Sequence, residues 1–364
     1  MLKDFIKCRF PSFIKVLKGL VYPFFEIKKD ILLFLLLNNS KSDKTKILLL
    51  MTTSYGNLGD QAITLAECLF FEKYFSKKLF IINSEYLSNH CGVILNLFSN
   101  YFDKILITGG GFLGSIWVRN EIQVYSIVKG LKTKRIIIFP QSIFYEEKKI
   151  YKKLFLRSKN NYLKHNNITF FIRDQSYFFV KNTLLENKKK VINIPDIVLS
   201  LNYSQESECR KGVLFCLRHD KEKVINDLYI DNIKQCIKKL GERISETDTV
   251  IDKYIDNSNR VRCIEEKILE FKKSKLVITD RLHGMIFATI SGTPCIAINN
   301  LSKKVEGVYS LWLSELDYIK VVDDLNKIDN ALLVYLLNKG SCVYNSNRFQ
   351  FYWNLLYMEV LNDC

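Results

Sequence analysis

Between Lys275 and Ile298 the chain reads KLVITDRLHGMIFATISGTPCIAI, and this stretch decides the fold. Lys275 to Thr279 is a short apolar run of strand type. From Leu282 the spacing is helical and stops at the turn formers Ser291-Gly292-Thr293-Pro294, after which Cys295 to Ile298 is a second apolar run. Strand, helix and strand in that order is the alternation of a parallel sheet covered by helices. Asp280-Arg281-Leu282-His283 falls where the first strand becomes the helix, and ligands of open parallel sheets bind outside the carboxyl ends of the strands.

The same alternation extends toward the N-terminus. Apolar runs recur at Ile47 to Met51, Leu79 to Ile82, Ile105 to Thr108, Arg135 to Phe139, Thr169 to Ile172 and Val191 to Ile194, with helical stretches such as Gln61 to Phe75 and Glu121 to Lys132 between them. The polar segment Asn202 to Lys211 interrupts the pattern, which restarts with Gly212 to Leu217 and Thr249 to Ile251. Two sheets fit better than one of a dozen strands, because single cores rarely grow beyond about 250–300 residues. The expected order is a basic amphipathic segment at 1–43, Rossmann-like α/β domains at 44–205 and 206–340, and a C-terminal helix at 341–364 that folds back on the first domain.

Of the 364 residues 48% are hydrophobic and 25% charged, the balance of an ordinary soluble globular protein. The net charge of +16 attracts phosphates, carboxylates and anionic membrane faces. Nucleic acid is not the expected partner, since the lysines lie in short clusters such as Lys188-Lys189-Lys190 and no basic run is interleaved with aromatics. Ten dispersed cysteines lack the C-x-x-C pairing of a zinc or redox site, so free thiols and no metal are expected.

Near the N-terminus the apolar run Ile31 to Leu37 is far shorter than the ~20 residues of a spanning helix. No small-residue cleavage site follows it, and the expected location is cytoplasmic. Phe5, Phe10, Phe13, Leu17, Leu20, Phe24 and Phe25 alternate with lysines in a helix-compatible pattern. Such a segment either lies on the inner, anionic face of a membrane or packs on its own domain.

Four further strand ends carry chemistry. Thr52-Thr53-Ser54-Tyr55-Gly56-Asn57-Leu58-Gly59-Asp60 opens a helix near Asp60, which is either its cap or a group beside an anion held by the helix start. Thr108-Gly109-Gly110-Gly111 lets the backbone approach a ligand or another loop closely. Its continuation Gly111-Phe112-Leu113-Gly114 gives the spacing of a dinucleotide fingerprint, but no acidic residue ends the following strand. Arg173 presents a guanidinium fork for a carboxylate or phosphate, or else pairs internally with Asp174 or Asp196. Leu217-Arg218-His219-Asp220 adds cations beside the expected cleft, and Asn300 to Gly307, with Lys303, Lys304 and Glu306, reads as a cleft loop.

Taken in order, Gly56-Asn57-Leu58-Gly59-Asp60, Gly109-Gly110-Gly111, Arg173-Asp174 with Ser176, Pro195-Asp196 and Asp280-Arg281-Leu282-His283-Gly284 resemble the polysaccharide pyruvyl transferase family over roughly 45–310. The resemblance implies a GT-B-like pair of Rossmann-like domains with a cleft between them. It implies phosphoenolpyruvate as donor substrate, no further cofactor, and a saccharide acceptor, lipid-linked or free, in exopolysaccharide or capsule biosynthesis. By the same resemblance Arg173, Arg281 and His283 hold the donor, with Leu282, Asn57, Gly109, Gly110, Gly111 and Arg218 lining the substrate site. Asp60, Asp196 and His283 are the acid–base candidates, their roles not divided among them.

Two other readings fit the same residues. A GT-B-type glycosyltransferase would use the cationic helix start for the diphosphate of a nucleotide sugar. A non-catalytic scaffold of a polysaccharide assembly would need the basic N-terminus but gives no reason for Arg173, Arg281 and His283 at strand ends.

Overall fold

A computed structural model describes residues 11–39, 47–75, 79–205, 209–220, 227–299 and 303–362. The N-terminal segment before residue 11 and Asn300 to Ser302 of the expected cleft loop lie outside the described residues. The first sheet contains β1 (Ile47–Thr52), β2 (Leu79–Asn83), β3 (Lys104–Ile107), β4 (Gly110–Gly114), β5 (Ile136–Phe144), β6 (Ile168–Ile172) and β7 (Lys190–Asn193). All pair parallel, in the order β2-β1-β3-β5-β6-β7, and β4 pairs with the far half of β5. The second sheet contains β8 (Val213–Cys216), β9 (Ile244–Thr247), β10 (Leu276–Thr279), β11 (Cys295–Ile298) and β12 (Ile319–Val322). It is also parallel, in the order β12-β11-β10-β8-β9.

The central strands β1, β6, β8, β10 and β11 are buried at every position. Helices cover both faces of a parallel sheet, so such strands are apolar throughout instead of alternating. In each sheet the strand order reverses beside the first strand, at β1/β3 and at β8/β10, and such switch points leave a crevice at the carboxyl ends of the strands. The two crevices face one another, which makes the architecture two Rossmann-like domains with a cleft between them, in the GT-B manner.

Three local expectations need correction. Thr249 to Ile251 is not a strand of the second sheet, where β9 takes the edge five residues earlier at Ile244. Instead it crosses to the first domain: Leu58 N–H donates to Thr249 O at 2.8 Å, Ile251 N–H donates to Gly56 O at 2.8 Å, and Asn57 and Val250 form an antiparallel bridge. Its apolar character therefore serves a contact between domains. The glycine stretch is not all loop, because Gly110 to Gly114 is β4, with Gly110 at φ 144°, a conformation that side chains rarely adopt. The helix expected from near Asp60 starts at Leu58, and the side chain of Asn57, not Asp60, accepts the Gly59 N–H at 3.1 Å.

The C-terminal helix Gln350–Leu361 lies across the first domain. Its Glu359 carboxylate takes hydrogen bonds from Arg135, Thr169 and Lys190 at 2.6, 3.0 and 2.5 Å, and Tyr357 packs on Tyr74 and Phe75. The N-terminal helix Pro11–Asn39 packs by Leu33 and Leu37. Among the described residues no helix is long and apolar enough to cross a membrane.

Candidate active site

The facing strand ends enclose a cavity of about 660 Å³. Its second-domain wall is built on two buried braces. Thr279 Oγ1, at the end of β10, accepts the Arg281 N–H at 3.0 Å and donates to Cys216 O of β8 at 2.6 Å. The Asp280 carboxylate accepts the Arg218 N–H at 2.9 Å, and burial raises its pKa to about 6 against the lowering effect of that bond. These bonds set Arg218, Arg281, Leu282 and His283 on the cavity. The Arg281 guanidinium is clamped: Asp248 accepts from Nε and Nη2 at 2.8 and 2.7 Å, and Asp220 accepts from Nη1 at 2.6 Å. Three of its five N–H groups are thereby committed and two remain.

On the first-domain wall, Met51, the penultimate residue of β1, has φ 72° and sits at a break in register just before the loop that borders the cavity. The Asp60 carboxylate lines the cavity and accepts from Asn57 Nδ2 at 2.8 Å and Tyr55 OH at 3.1 Å. Gly59 is pressed against His283 of the other domain, where a Cβ would stand 2.2 Å from Nδ1.

Arg173 leaves β6 with its guanidinium in the same cavity although its side chain is only 2% exposed. Nε donates to Ser142 Oγ at 2.9 Å and Nη1 to Asp196 at 2.5 Å, while Trp312 of the second domain donates to the Arg173 carbonyl at 2.7 Å. The internal pair of Arg173 with Asp196 is therefore formed, and it does not remove Arg173 from the cavity. Burial pushes the Asp196 carboxyl up, but Arg173 and His283 outweigh it and hold it well below the usual carboxylate range. Nε2 of His283 lies 3.6 Å from the same carboxylate.

Asn57, Asp60, Gly111, Arg173, Arg218, Arg281, Leu282 and His283 thus share one cavity. Asp196 is fully buried behind Arg173 and His283, and neither Gly109 nor Gly110 lines the cavity. Gly109 is held from behind instead: Glu67 accepts its N–H and the Thr108 hydroxyl, both at 2.7 Å. Gly111 approaches Arg173 and Lys304, each with a nitrogen 3.1 Å from where its Cβ would be.

A description of polysaccharide pyruvyl transferases matches residues 57–302, more than half of the chain. The chain belongs to the polysaccharide pyruvyl transferase family. Among curated relatives, it is 35% identical over 314 residues to General stress protein 30 of Bacillus subtilis, covering 85% of this chain and 90% of that protein. It is 26% identical over 311 residues to Pyruvyl transferase 1 of Schizosaccharomyces pombe, covering 80% and 75%. A crystal structure of a functionally uncharacterised Klebsiella pneumoniae protein shares the fold, with a TM-score of 0.51 at 19% identity over 82% of this chain and 98% of that one. For this pyruvyl transferase family member the motif residues read from the sequence account for much of the cavity wall. Reading by motif left out Asp248, which clamps Arg281, and the wall formed by Glu85, Trp117 and Asn120. Asp248 follows β9 and Glu85 lies two residues beyond β2, and a strand end is the signal that could have found both; Trp117 and Asn120 follow no motif.

Proposed function

We propose that this protein transfers the three-carbon unit of phosphoenolpyruvate to two hydroxyls of one sugar, closing a pyruvyl ketal during surface polysaccharide biosynthesis. The observation that carries this reading is that Arg173, Arg281 and His283, from two domains, border one cavity. Phosphoenolpyruvate is a small polyanion with a carboxylate and a phosphate. Arg173 retains three N–H groups and Arg281 two beyond those their carboxylate and hydroxyl partners use, enough for bidentate contacts to both ends of the donor.

In this reading His283 protonates the methylene carbon of the donor, leaving an oxocarbenium-like centre at the adjacent carbon. Asp60, whose carboxylate faces the cavity, takes the proton of the first sugar hydroxyl as its oxygen bonds to that centre. The second hydroxyl then displaces inorganic phosphate, which leaves with the remaining proton. The diol loses two hydrogens: one departs with phosphate, and the other, taken by Asp60, returns through solvent to the deprotonated His283, so that over a full turnover it replaces the proton given to the new methyl group. Asp196 is shielded from the cavity and acts as a positioning residue for Arg173 and His283.

Isotope-labelled phosphoenolpyruvate incubated with free and lipid-linked saccharides tests the reaction by product mass. Label in the saccharide, with release of inorganic phosphate, is expected. Thermal stabilisation by phosphoenolpyruvate and not by nucleotide sugars is the matching binding result, since a ligand of the folded state raises its melting temperature. Stabilisation by nucleotide sugars alone, without labelled product, overturns the reading.

The reading includes a cytoplasmic enzyme resting on an anionic membrane surface. On the N-terminal helix, Glu26 and Asp30 turn inward to accept from Asn89 N–H and the Ser88 hydroxyl, both at 2.5 Å. The opposite face exposes Phe24, Phe25, Ile27, Ile31, Phe34 and Leu35 together with Lys28, and no acid. An apolar face of basic character suits an anionic bilayer.

A further inference from the structure

We infer that the first-domain end of the cavity is the acceptor subsite, in which Trp117 stacks on the apolar face of a pyranose ring while Glu85 and Asn120 bind its hydroxyls. This deepens the transferase reading above and rests on it. The cavity is asymmetric in its aromatic rings: the second-domain end presents Arg218, Arg281 and His283 with Asp220 and Asp248, whereas the far end presents Trp117, Tyr55 and Phe112 beside Glu85, Arg119 and Asn120. A pyranose has C–H faces and a rim of paired hydroxyls, so aromatic rings beside a carboxylate and an amide are its chemical complement.

Two observations point to a ligand there. Glu85 Oε1 accepts the Ser54 N–H at 3.2 Å, but Oε2 is buried with no hydrogen bond. A buried carboxylate oxygen left in that state is costly, and a sugar hydroxyl donating into it removes the cost. Trp117 is 39% exposed, whereas Trp312 and Trp353 are 7% and 4% exposed. The wall is also rigid. Gln123, on the helix Val118–Gly130 that follows Trp117, donates to Ser84 O at 3.0 Å and Leu87 O at 2.7 Å, which fixes the Glu85 turn against the helix that bears Asn120.

Iodide quenching of tryptophan fluorescence tests the site, because Trp117 is the accessible one of the three tryptophans. Methyl glycosides of glucose, galactose, mannose and N-acetylglucosamine serve as probes. At least one is expected to protect Trp117, and Glu85→Gln is expected to weaken that protection about tenfold, the loss of a hydrogen bond to a charged group. Glutamine keeps the acceptor for Ser54 and replaces Oε2 by a donor, so the fold is preserved and stabilisation by phosphoenolpyruvate is unchanged. In transfer assays Trp117→Ala raises the acceptor KM and Trp117→Phe largely rescues it. Failure of every glycoside to protect, undiminished protection in Glu85→Gln, or protection by uridine diphosphate alone overturns the subsite. Failure of phosphoenolpyruvate to stabilise the wild type strikes the donor reading and leaves the quenching result standing.

Discussion

Gly59 and His283 meet across the cleft so closely that a methyl group on Gly59 would stand 2.2 Å from the imidazole Nδ1. The glycine lies in the first turn of Leu58–Phe75, where alanine is otherwise favoured by about 1 kcal/mol. Gly59→Ala therefore separates helix stability from site geometry. Transfer is expected to fall by at least about tenfold, as for a catalytic group displaced by an ångström, while the circular-dichroism spectrum keeps its wild-type shape. Wild-type turnover in this variant would mean that His283 has room to move and is not held in place by the contact.

The two carboxylates Asp60 and Asp196 are expected to behave differently on replacement. Asp196→Asn leaves the Arg173 guanidinium buried without its counter-charge, which costs on the order of 3 kcal/mol. Asp60→Asn removes a group at the cavity surface and leaves stability near that of the wild type. Both variants lose transfer, so melting in urea discriminates them. Because Arg173 and His283 depress the Asp196 carboxyl, its contribution is present above the unfolded pKa of about 3.9 and is lost as pH falls through the lower folded value. Equal midpoints for the two variants would contradict this division of roles.

Central elements of the fold and the cationic part of the cavity wall were legible because they rest on local patterns. Runs such as Ile47 to Met51 and Lys275 to Thr279 are apolar because they are covered on both faces, and Arg173, Arg281 and His283 stand at strand ends. What was not legible depends on contacts between distant segments. Thr249 to Ile251 has strand composition but pairs with Gly56 to Leu58 of the other domain. Gly110 to Gly114 looks like a loop and becomes a strand because β5 is long enough to pair with two segments in succession. Lys320 breaks the apolar run of β12, and a charge in a short run hides an edge strand. Glu85 lies just beyond β2, but nothing local marks that it meets Trp117; Gln123 ties the Glu85 turn to the helix that follows Trp117.

Glu67 gives a pH signature to the glycine segment. Burial raises its carboxyl to about 8 from 4.5, with the Gly109 N–H and the Thr108 hydroxyl working against the rise. Below 4.5 both folded and unfolded chains hold the proton and the native state keeps its full stability from this group. As pH rises toward 8 the unfolded chain loses the proton while the fold retains it, and stability falls with a limiting slope of about 1.4 kcal/mol per pH unit. Glu67→Gln copies the neutral acid and cannot ionise. Its urea midpoint is expected to change less than that of the wild type between pH 5 and pH 8, and a wild-type slope in the variant would place the titration elsewhere.

The exposed face of the N-terminal helix gives the remaining prediction. Phe24, Phe25, Ile27, Ile31 and Leu35 are 50–67% exposed, and covering the exposed part of each is worth roughly half of the 1.5–3 kcal/mol of full burial. Several of them in a bilayer interface, with Lys28 beside anionic headgroups, suffice for peripheral binding. The full chain is expected to sediment with phosphatidylglycerol vesicles, less with phosphatidylcholine vesicles, and less again at high salt, which screens the charge part alone. Replacing both Phe24 and Ile31 by serine should release it from the vesicles without changing transfer to a soluble saccharide, because the buried contacts of Leu33 and Leu37 remain. If the double variant still sediments, or if the wild type is a dimer that the double variant splits, the face is covered by something other than lipid.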